Sequence, residues 1–112
     1  MKKEVELSKR KCEACEGGVA PLSDTEASRY LADLDSAWSI EGKKLVREFL
    51  FKNHYDCMAF VNAVAYISHQ ENHHPYMSFG FKDLRVEYWT HAVDDLTEND
   101  FICAAKVDRL LD

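Results

Sequence analysis

Glycine and proline are scarce in this chain, at four and two among 112 residues, which argues against a flexible linker or a disordered tail. Basic residues are also few: 14 Lys and Arg stand against 20 Asp and Glu, for a formal net charge of -6. That balance argues against a nucleic-acid-binding protein, whose phosphate contacts need clustered Lys and Arg. Apolar runs are only a few residues long, so we expect neither a membrane span nor a signal peptide, and we expect a cytoplasmic protein.

The chain does contain enough apolar material for one core, with 46% apolar and 12% aromatic residues. A length of 112 residues is typical of a single domain. Residues 1–21 are polar and charged and end in Gly17-Gly18 and Pro21. We therefore predict an irregular charged arm over residues 1–21 and one domain over residues 22–112.

Four cysteines are present, at Cys12, Cys15, Cys57 and Cys103. Without a secretory signal, reduced thiols are expected. Cys57 and Cys103 lie within helical apolar patterns and are interpreted as small buried hydrophobic residues. Cys12 and Cys15 form a lone CxxC, without the second pair that a zinc ribbon needs. We place this motif outside the main activity; metal binding or adventitious oxidation there remains an open alternative.

Hydrophobic periodicity predicts the first half of the domain. Ser23, followed three residues later by Glu26, is a capping box that starts a helix, and its apolar stripe consists of Ala27, Tyr30, Leu31 and Leu34. Two strands follow: a short one around Trp38 and Ile40 and a longer one through residues 45–51. A turn at residues 41–43 joins them.

The second half repeats a helix and a hairpin. A long helix is predicted from about residue 54 to about residue 71, and Pro75 cannot continue it. Two strands are predicted next, over residues 76–81 and 84–91. A last helix begins near Thr97, with Asp100 at its third position. The predicted fold class is α+β: a four-stranded antiparallel sheet with three helices packed on one face, in the order α-β-β-α-β-β-α.

Four of the five histidines lie between His69 and His91. His69 and His73 are spaced i, i+4 and share a helix face, whereas His74 turns off that face as the helix ends. His91 is predicted at the end of the fourth strand. Ends of helices and strands commonly form the rim of a pocket, so these residues are candidates for a site.

Three interpretations of these histidines compete. In the first, they are surface or helix-capping residues, since a helix C-terminus favours a partly protonated imidazole. In the second, they bind a metal, although His69-Gln-Glu-Asn-His73 is a poor match to HExxH, where the glutamate follows the first histidine. In the third, they act as general acid and base without a metal, since histidine both accepts and donates protons near neutrality.

The spacing of these residues resembles a known signature. The matching positions are His69-x3-His73-His74-Pro75, then Phe81 after five residues, His91 after nine more and Asp100 after eight more. On these positions, and on the order of elements, the chain from about Ser23 to Leu111 resembles the pterin-4a-carbinolamine dehydratases.

The resemblance implies a specific reaction, the dehydration of 4a-hydroxytetrahydropterin to quinonoid dihydropterin, which recycles the cofactor of aromatic amino-acid hydroxylases. It implies no metal and no cofactor. It also implies that His73, His74 and His91 are catalytic and that Asp100 orients His91 or the substrate. Pro75 is then the shaping residue that ends the helix. His69 stands in a slot that is often acidic in the family, where it would bind or orient the substrate.

The resemblance further implies a small-molecule pterin as substrate, a functional link to an aromatic amino-acid hydroxylase, and assembly as a homodimer or homotetramer. A sheet edge or an apolar helix face would serve as the interface, with Ala104, Ala105 and Leu111 as candidates. Two alternatives stay open: a protein-interaction role as a dimerisation cofactor, as in some animal members, and a molybdopterin-related role.

Overall fold

The computed structural model describes residues 6–13 and 20–112. Cys15 lies outside the described residues. Within them, the seven main elements are α1 (Asp24–Leu31), β1 (Ser39–Glu41), β2 (Lys44–Leu50), α2 (His54–Glu71), β3 (Tyr76–Phe79), β4 (Asp83–Tyr88) and α3 (Glu98–Arg109). The predicted order α-β-β-α-β-β-α is confirmed.

The strands form one antiparallel sheet in the order β1-β2-β4-β3. In the central pair, Leu45 lies opposite Tyr88 and Phe49 opposite Leu84, and all four are buried. Their face packs against the helices; for example, the rings of Phe49 and Phe60 of α2 are 4.8 Å apart. The alternate residues lie on the opposite face, which is mostly exposed or half-buried. The predicted packing of helices on one face is therefore confirmed.

The second hairpin is shorter than predicted. β3 ends at Phe79, because the backbone N–H of Gly80 donates to the carbonyl of Asp83 at 3.0 Å and closes a tight turn. β4 ends at Tyr88, not at His91. Beyond it, Thr90 makes an isolated bridge to Asp95, and residues 91–94 form a turn.

Helix α2 stops before Pro75, and its end agrees with the predicted end near residue 71. It ends at Glu71, and Asn72 caps it in the left-handed conformation with φ of 52°, a backbone state that asparagine tolerates better than most residues. Pro75 lies three residues beyond and precedes β3. Asn72 thus ends the helix, and Pro75 keeps the chain extended after it.

The described part of the arm, residues 6–13, is packed against the rest of the chain. Leu7–Lys9 forms a 3-10 turn, and Leu7 is buried. The Lys106 ammonium of α3 donates to the Ser8 carbonyl at 2.8 Å, and Arg10 pairs with Glu98. Residues 6–13 therefore lie against α3.

Two further features bear on the sequence predictions. Ala104 is completely buried in the chain's own core, so the expectation that it packs between subunits is wrong. Among the described residues, no helix has the length and apolar character that crossing a membrane requires.

Candidate active site

His73 and Asp100 form the buried centre of the site. The His73 ring is 5% exposed and the Asp100 side chain is fully buried. His73 Nε2 lies 2.6 Å from Asp100 Oδ1, a distance at which a ring N–H donates strongly to a carboxylate. The resemblance suggested His91 or the substrate as the partner of Asp100; the structure instead pairs this carboxylate with His73.

The left-handed turn at Asn72 directs His73 inward. The backbone N–H of His73 donates back to the Ser68 carbonyl at 3.2 Å, which folds the chain over the end of α2. The His73 ring then stacks on Tyr88 of β4, with centroids 6.1 Å apart and planes 8° from parallel. Burial raises the pKa of Tyr88 well above its usual value, so a neutral phenol lies beside the imidazole.

The second oxygen of Asp100 is held by two threonines. Oδ2 accepts from the Thr90 hydroxyl and from the Thr97 backbone N–H, both at 2.9 Å. The two threonine hydroxyls are themselves 2.7 Å apart. Asp100 thus completes the predicted capping box of α3 and holds His73 with its other oxygen. A carboxylate in the first turn of a helix is also favoured by the helix dipole.

His74 and His91 are exposed. His91 lies in the turn after β4, and its ring stacks on Trp89 with centroids 4.5 Å apart. The Lys44 ammonium lies 4.6 Å from the centre of the Trp89 ring. Because Thr90, the residue before His91, binds Asp100, the fold brings His91 to the same edge of the molecule as the His73–Asp100 pair.

Two further sequence-predicted positions lie outside the buried centre, one near it and one far from it. His69 is exposed on the last turn of α2. Phe81 of the signature lies in the turn before β4, where its ring stacks on His54 and its carbonyl is 2.8 Å from His54 Nδ1. His54 begins the 18-residue α2, so Phe81 lies about 27 Å from the end that carries His73. Within one chain, Phe81 therefore does not reach the His73–Asp100 pair.

Sequence reasoning missed Thr90 and Tyr88 as parts of the site and identified Thr97 only as a helix start. The alternation of β4 contained a signal for them: Leu84, Val86, Tyr88 and Thr90 share one parity, and all four are buried. A hydroxyl that continues a buried apolar face needs a polar partner. Among the described residues, no group of three His, Cys, Asp or Glu is arranged to hold a metal ion.

The N-terminal arm reaches the elements on both sides of the buried pair. The backbone N–H of Cys12 donates to Glu71 Oε1 at 2.8 Å, at the end of α2. Although burial opposes the ionisation of Glu71, this N–H and the Lys106 ammonium hold the pKa of its carboxyl below the usual value. Asn99, next to Asp100, exchanges two hydrogen bonds with the backbone of Glu13, at 3.0 and 2.8 Å.

Comparison with known proteins agrees with this architecture. A family model described as pterin 4 alpha carbinolamine dehydratase matches residues 20–110. Two relatives carrying the name pterin-4-alpha-carbinolamine dehydratase align over 106 residues, 95% of this chain and 94% of theirs. The protein from Dechloromonas aromatica (strain RCB) is 53% identical, and that from Nitrosomonas eutropha (strain DSM 101675 / C91 / Nm57) is 57% identical.

A solved structure is similar in three dimensions. The crystal structure of a transcriptional coactivator/pterin dehydratase from Brucella melitensis superposes with a TM-score of 0.77 at 26% identity. The match covers 81% of this chain and 98% of that one. The fold and the sequence thus point to one family.

Proposed function

The chain belongs to the pterin 4 alpha carbinolamine dehydratase family and has its hydro-lyase activity, and we propose that His73 and His91 catalyse the loss of water as general base and general acid. The substrate in this proposal is a 4a-hydroxytetrahydropterin and the product a quinonoid dihydropterin.

The chemistry needs two proton transfers. A carbinolamine loses water when the lone pair of the neighbouring nitrogen expels the hydroxyl group. A base that takes the nitrogen proton and an acid that protonates the departing oxygen each lower the barrier, typically by roughly 10²–10⁴-fold in rate. Histidine is suited to both roles near neutral pH.

The contact between His73 and Asp100 is the observation that carries the proposal. A buried carboxylate 2.6 Å from Nε2 fixes the orientation of the ring and stabilises the imidazolium that forms when His73 takes a proton. The threonine contacts keep Asp100 in place. This arrangement favours His73 as the base, and it leaves the exposed His91 as the acid.

His74 and His69 take supporting roles in the proposal. His74 is exposed next to the buried His73, where it assists the transfer or serves the other stereoisomer at the reacting carbon. His69, in the last turn of α2, contacts the pterin ring where other family members often present a carboxylate. Pro75 keeps the chain extended beyond these histidines.

The test is a stopped-flow measurement of 4a-hydroxytetrahydropterin dehydration. We expect His73→Ala and His91→Ala each to lower the rate by roughly 10²-fold or more. His54→Ala is the matched control, because His54 is exposed at the opposite end of α2. Full rate in either the His73 or the His91 variant would refute the assignment.

The biological setting is a further part of the proposal. We place the protein in the cytoplasm, where it recycles the pterin of an aromatic amino-acid hydroxylase. A hydroxylase gene beside its own would support this link.

We also propose that the chain assembles as a homodimer or homotetramer, because two large side chains of α2, Tyr55 and Tyr66, are 80% and 62% exposed. Light scattering coupled to gel filtration measures the assembly.

A second candidate function is a protein-interaction role. The Brucella melitensis relative is described as a transcriptional coactivator/pterin dehydratase, which favours it. An interaction role predicts that His73→Ala retains partner binding, whereas catalysis predicts loss of dehydration in the same variant. The two assays on one variant therefore separate the two functions.

A further inference from the structure

The N-terminal arm brings a second cysteine to the buried Cys103 of α3. Cys12 Sγ lies 3.6 Å from Cys103 Sγ and at the same distance from the Asn99 carbonyl. Cys103 is fully buried, whereas Cys12 is half-buried. Two thiols, 91 positions apart in sequence, thus meet where the arm crosses the first turns of α3.

This meeting is held by contacts on both sides of Cys12. Its backbone N–H is bound by Glu71, and the next residue, Glu13, exchanges two hydrogen bonds with Asn99. Arg10 pairs with Glu98 on the same helix turn. The thiols are therefore kept together by the fold and do not depend on a chance approach of a loose terminus.

We propose that Cys12 and Cys103 form an oxidation site, at which a peroxide converts the two thiols to a disulfide that ties the arm to α3. Nothing in the dehydration reaction uses either thiol, so this modification is independent of the proposed catalysis. Bonded sulfur atoms are about 2.05 Å apart, so the two atoms need to approach by about 1.5 Å. The arm, as the smaller surface element, accommodates that movement.

The oxidation proceeds in two balanced steps. The half-exposed Cys12 attacks the peroxide as thiolate; its S–O bond forms, the O–O bond breaks, and water leaves after protonation, which gives a sulfenic acid. Cys103 then attacks the Cys12 sulfur; the S–S bond forms, the S–O bond breaks, and the Cys103 proton leaves with the hydroxide as water. Each sulfur loses one electron, and the two peroxide oxygens gain them.

The order of attack follows from the surroundings of the two thiols. The hydrogen bond with Cys12, together with burial, raises the pKa of Cys103 far above its usual range, so this thiol gives up its proton only as it attacks, to the departing hydroxide. Cys12, which solvent reaches, meets the oxidant first. Cys103 has no need of access, because the sulfenic acid forms next to it.

The disulfide would close a loop over most of the chain, which restricts the unfolded ensemble strongly. It would also fasten the arm to the helix that carries Asp100. We therefore expect oxidation to raise thermal stability, while reduction returns the protein to its original melting temperature.

The experiment treats the intact protein with hydrogen peroxide and maps its peptides without reduction. We expect a linked Cys12–Cys103 peptide pair, a mass loss of 2 Da, and a rise in Tm of at least about 5 °C that a reductant reverses. Cys15→Ser and Cys57→Ser should still cross-link, because Cys57 contacts the Asp83 carbonyl elsewhere. Cys12→Ser should abolish the cross-link, and this half-exposed position tolerates the change.

Three outcomes would overturn the proposal. These are free thiols at both positions after oxidation, a linked Cys12–Cys15 pair in place of Cys12–Cys103, and a cross-link that leaves Tm unchanged. The dehydratase assay on the reduced protein is separate, since it tests only the histidines.

Discussion

His73 and Asp100 are 27 positions apart in sequence, yet His73 Nε2 and Asp100 Oδ1 are 2.6 Å apart in the buried centre of the site. One carboxylate thereby joins the end of α2 to the start of α3. It completes the capping box of a helix and is the partner of an imidazole at once. Changes to this carboxylate should therefore affect stability and catalysis together.

Asp100→Asn should impair both properties. An amide keeps one oxygen for Thr97 or Thr90 but leaves the other contacts of this buried position poorly matched, at a cost of about 1–3 kcal/mol. Without the carboxylate, the His73 imidazolium loses its partner, and we expect the dehydration rate to fall by about 10²-fold. Urea unfolding and stopped-flow rates measure the two effects.

Asp94→Asn is the matched control for Asp100→Asn. Asp94 is exposed and has a positive φ of 52°, which asparagine adopts readily. This variant should retain wild-type rate and stability. Equal rates for Asp100→Asn and the wild type would show that the carboxylate does not support His73.

Thr90→Val tests the support of the carboxylate with little change in shape. The substitution removes the hydroxyl that donates to Asp100 Oδ2 at 2.9 Å and leaves buried oxygens without that donor. We expect a loss of about 1–3 kcal/mol in unfolding free energy and a smaller loss of rate than in Asp100→Asn. Thr25→Val, at an exposed position of α1, is the control; an equal loss in both variants would contradict the prediction.

Asn72→Ala tests the left-handed turn that directs His73 inward. A Cβ-bearing residue without a compensating side chain costs roughly 1 kcal/mol at positive φ, whereas Asn72→Gly relieves that cost. The alanine variant should therefore unfold at lower urea and dehydrate more slowly, and the glycine variant should not. Asn62→Ala, exposed in the middle of α2, should leave activity unchanged; equal behaviour of alanine and glycine at position 72 would argue against the turn.

Glu71→Gln should make the free energy of unfolding depend less on pH in the acid range. The pKa of the Glu71 carboxyl is lower in the folded protein than its usual value, so the folded state binds this proton more weakly than the unfolded chain. The resulting stability is present above the unfolded pKa, near 4.3, and is lost as the pH falls through the folded pKa.

Urea unfolding at pH values from 7 to about 3 measures this dependence. The wild type should lose stability over the acid range more steeply than Glu71→Gln, and the variant should be less stable at pH 7. Glu13→Gln is the control, because Glu13 is exposed and contacts Asn99 through its backbone. Parallel acid profiles for the wild type and Glu71→Gln would contradict the prediction.

Features that depend on nearby residues could be predicted well. The Ser23–Glu26 and Thr97–Asp100 capping boxes are formed as their spacing indicated, because both partners lie within one helical turn. The position of the long helix was predicted to within a residue, since its apolar stripe recurs every three or four residues. The shorter fourth strand was missed, because the bridge between Thr90 and Asp95 depends on the turn that joins them.

The amino-acid sequence by itself determined the order of elements, the face of the sheet that is buried and the histidine spacing that resembles a family. These properties follow from local periodicity and from the identity of single residues. Only the tertiary structure decided that Asp100 binds His73, that Phe81 lies far from them, and that Cys12 meets Cys103. Such contacts join residues 27 to 91 positions apart, and only the packing of helices on the sheet, which buries apolar surface throughout the chain, brings them together.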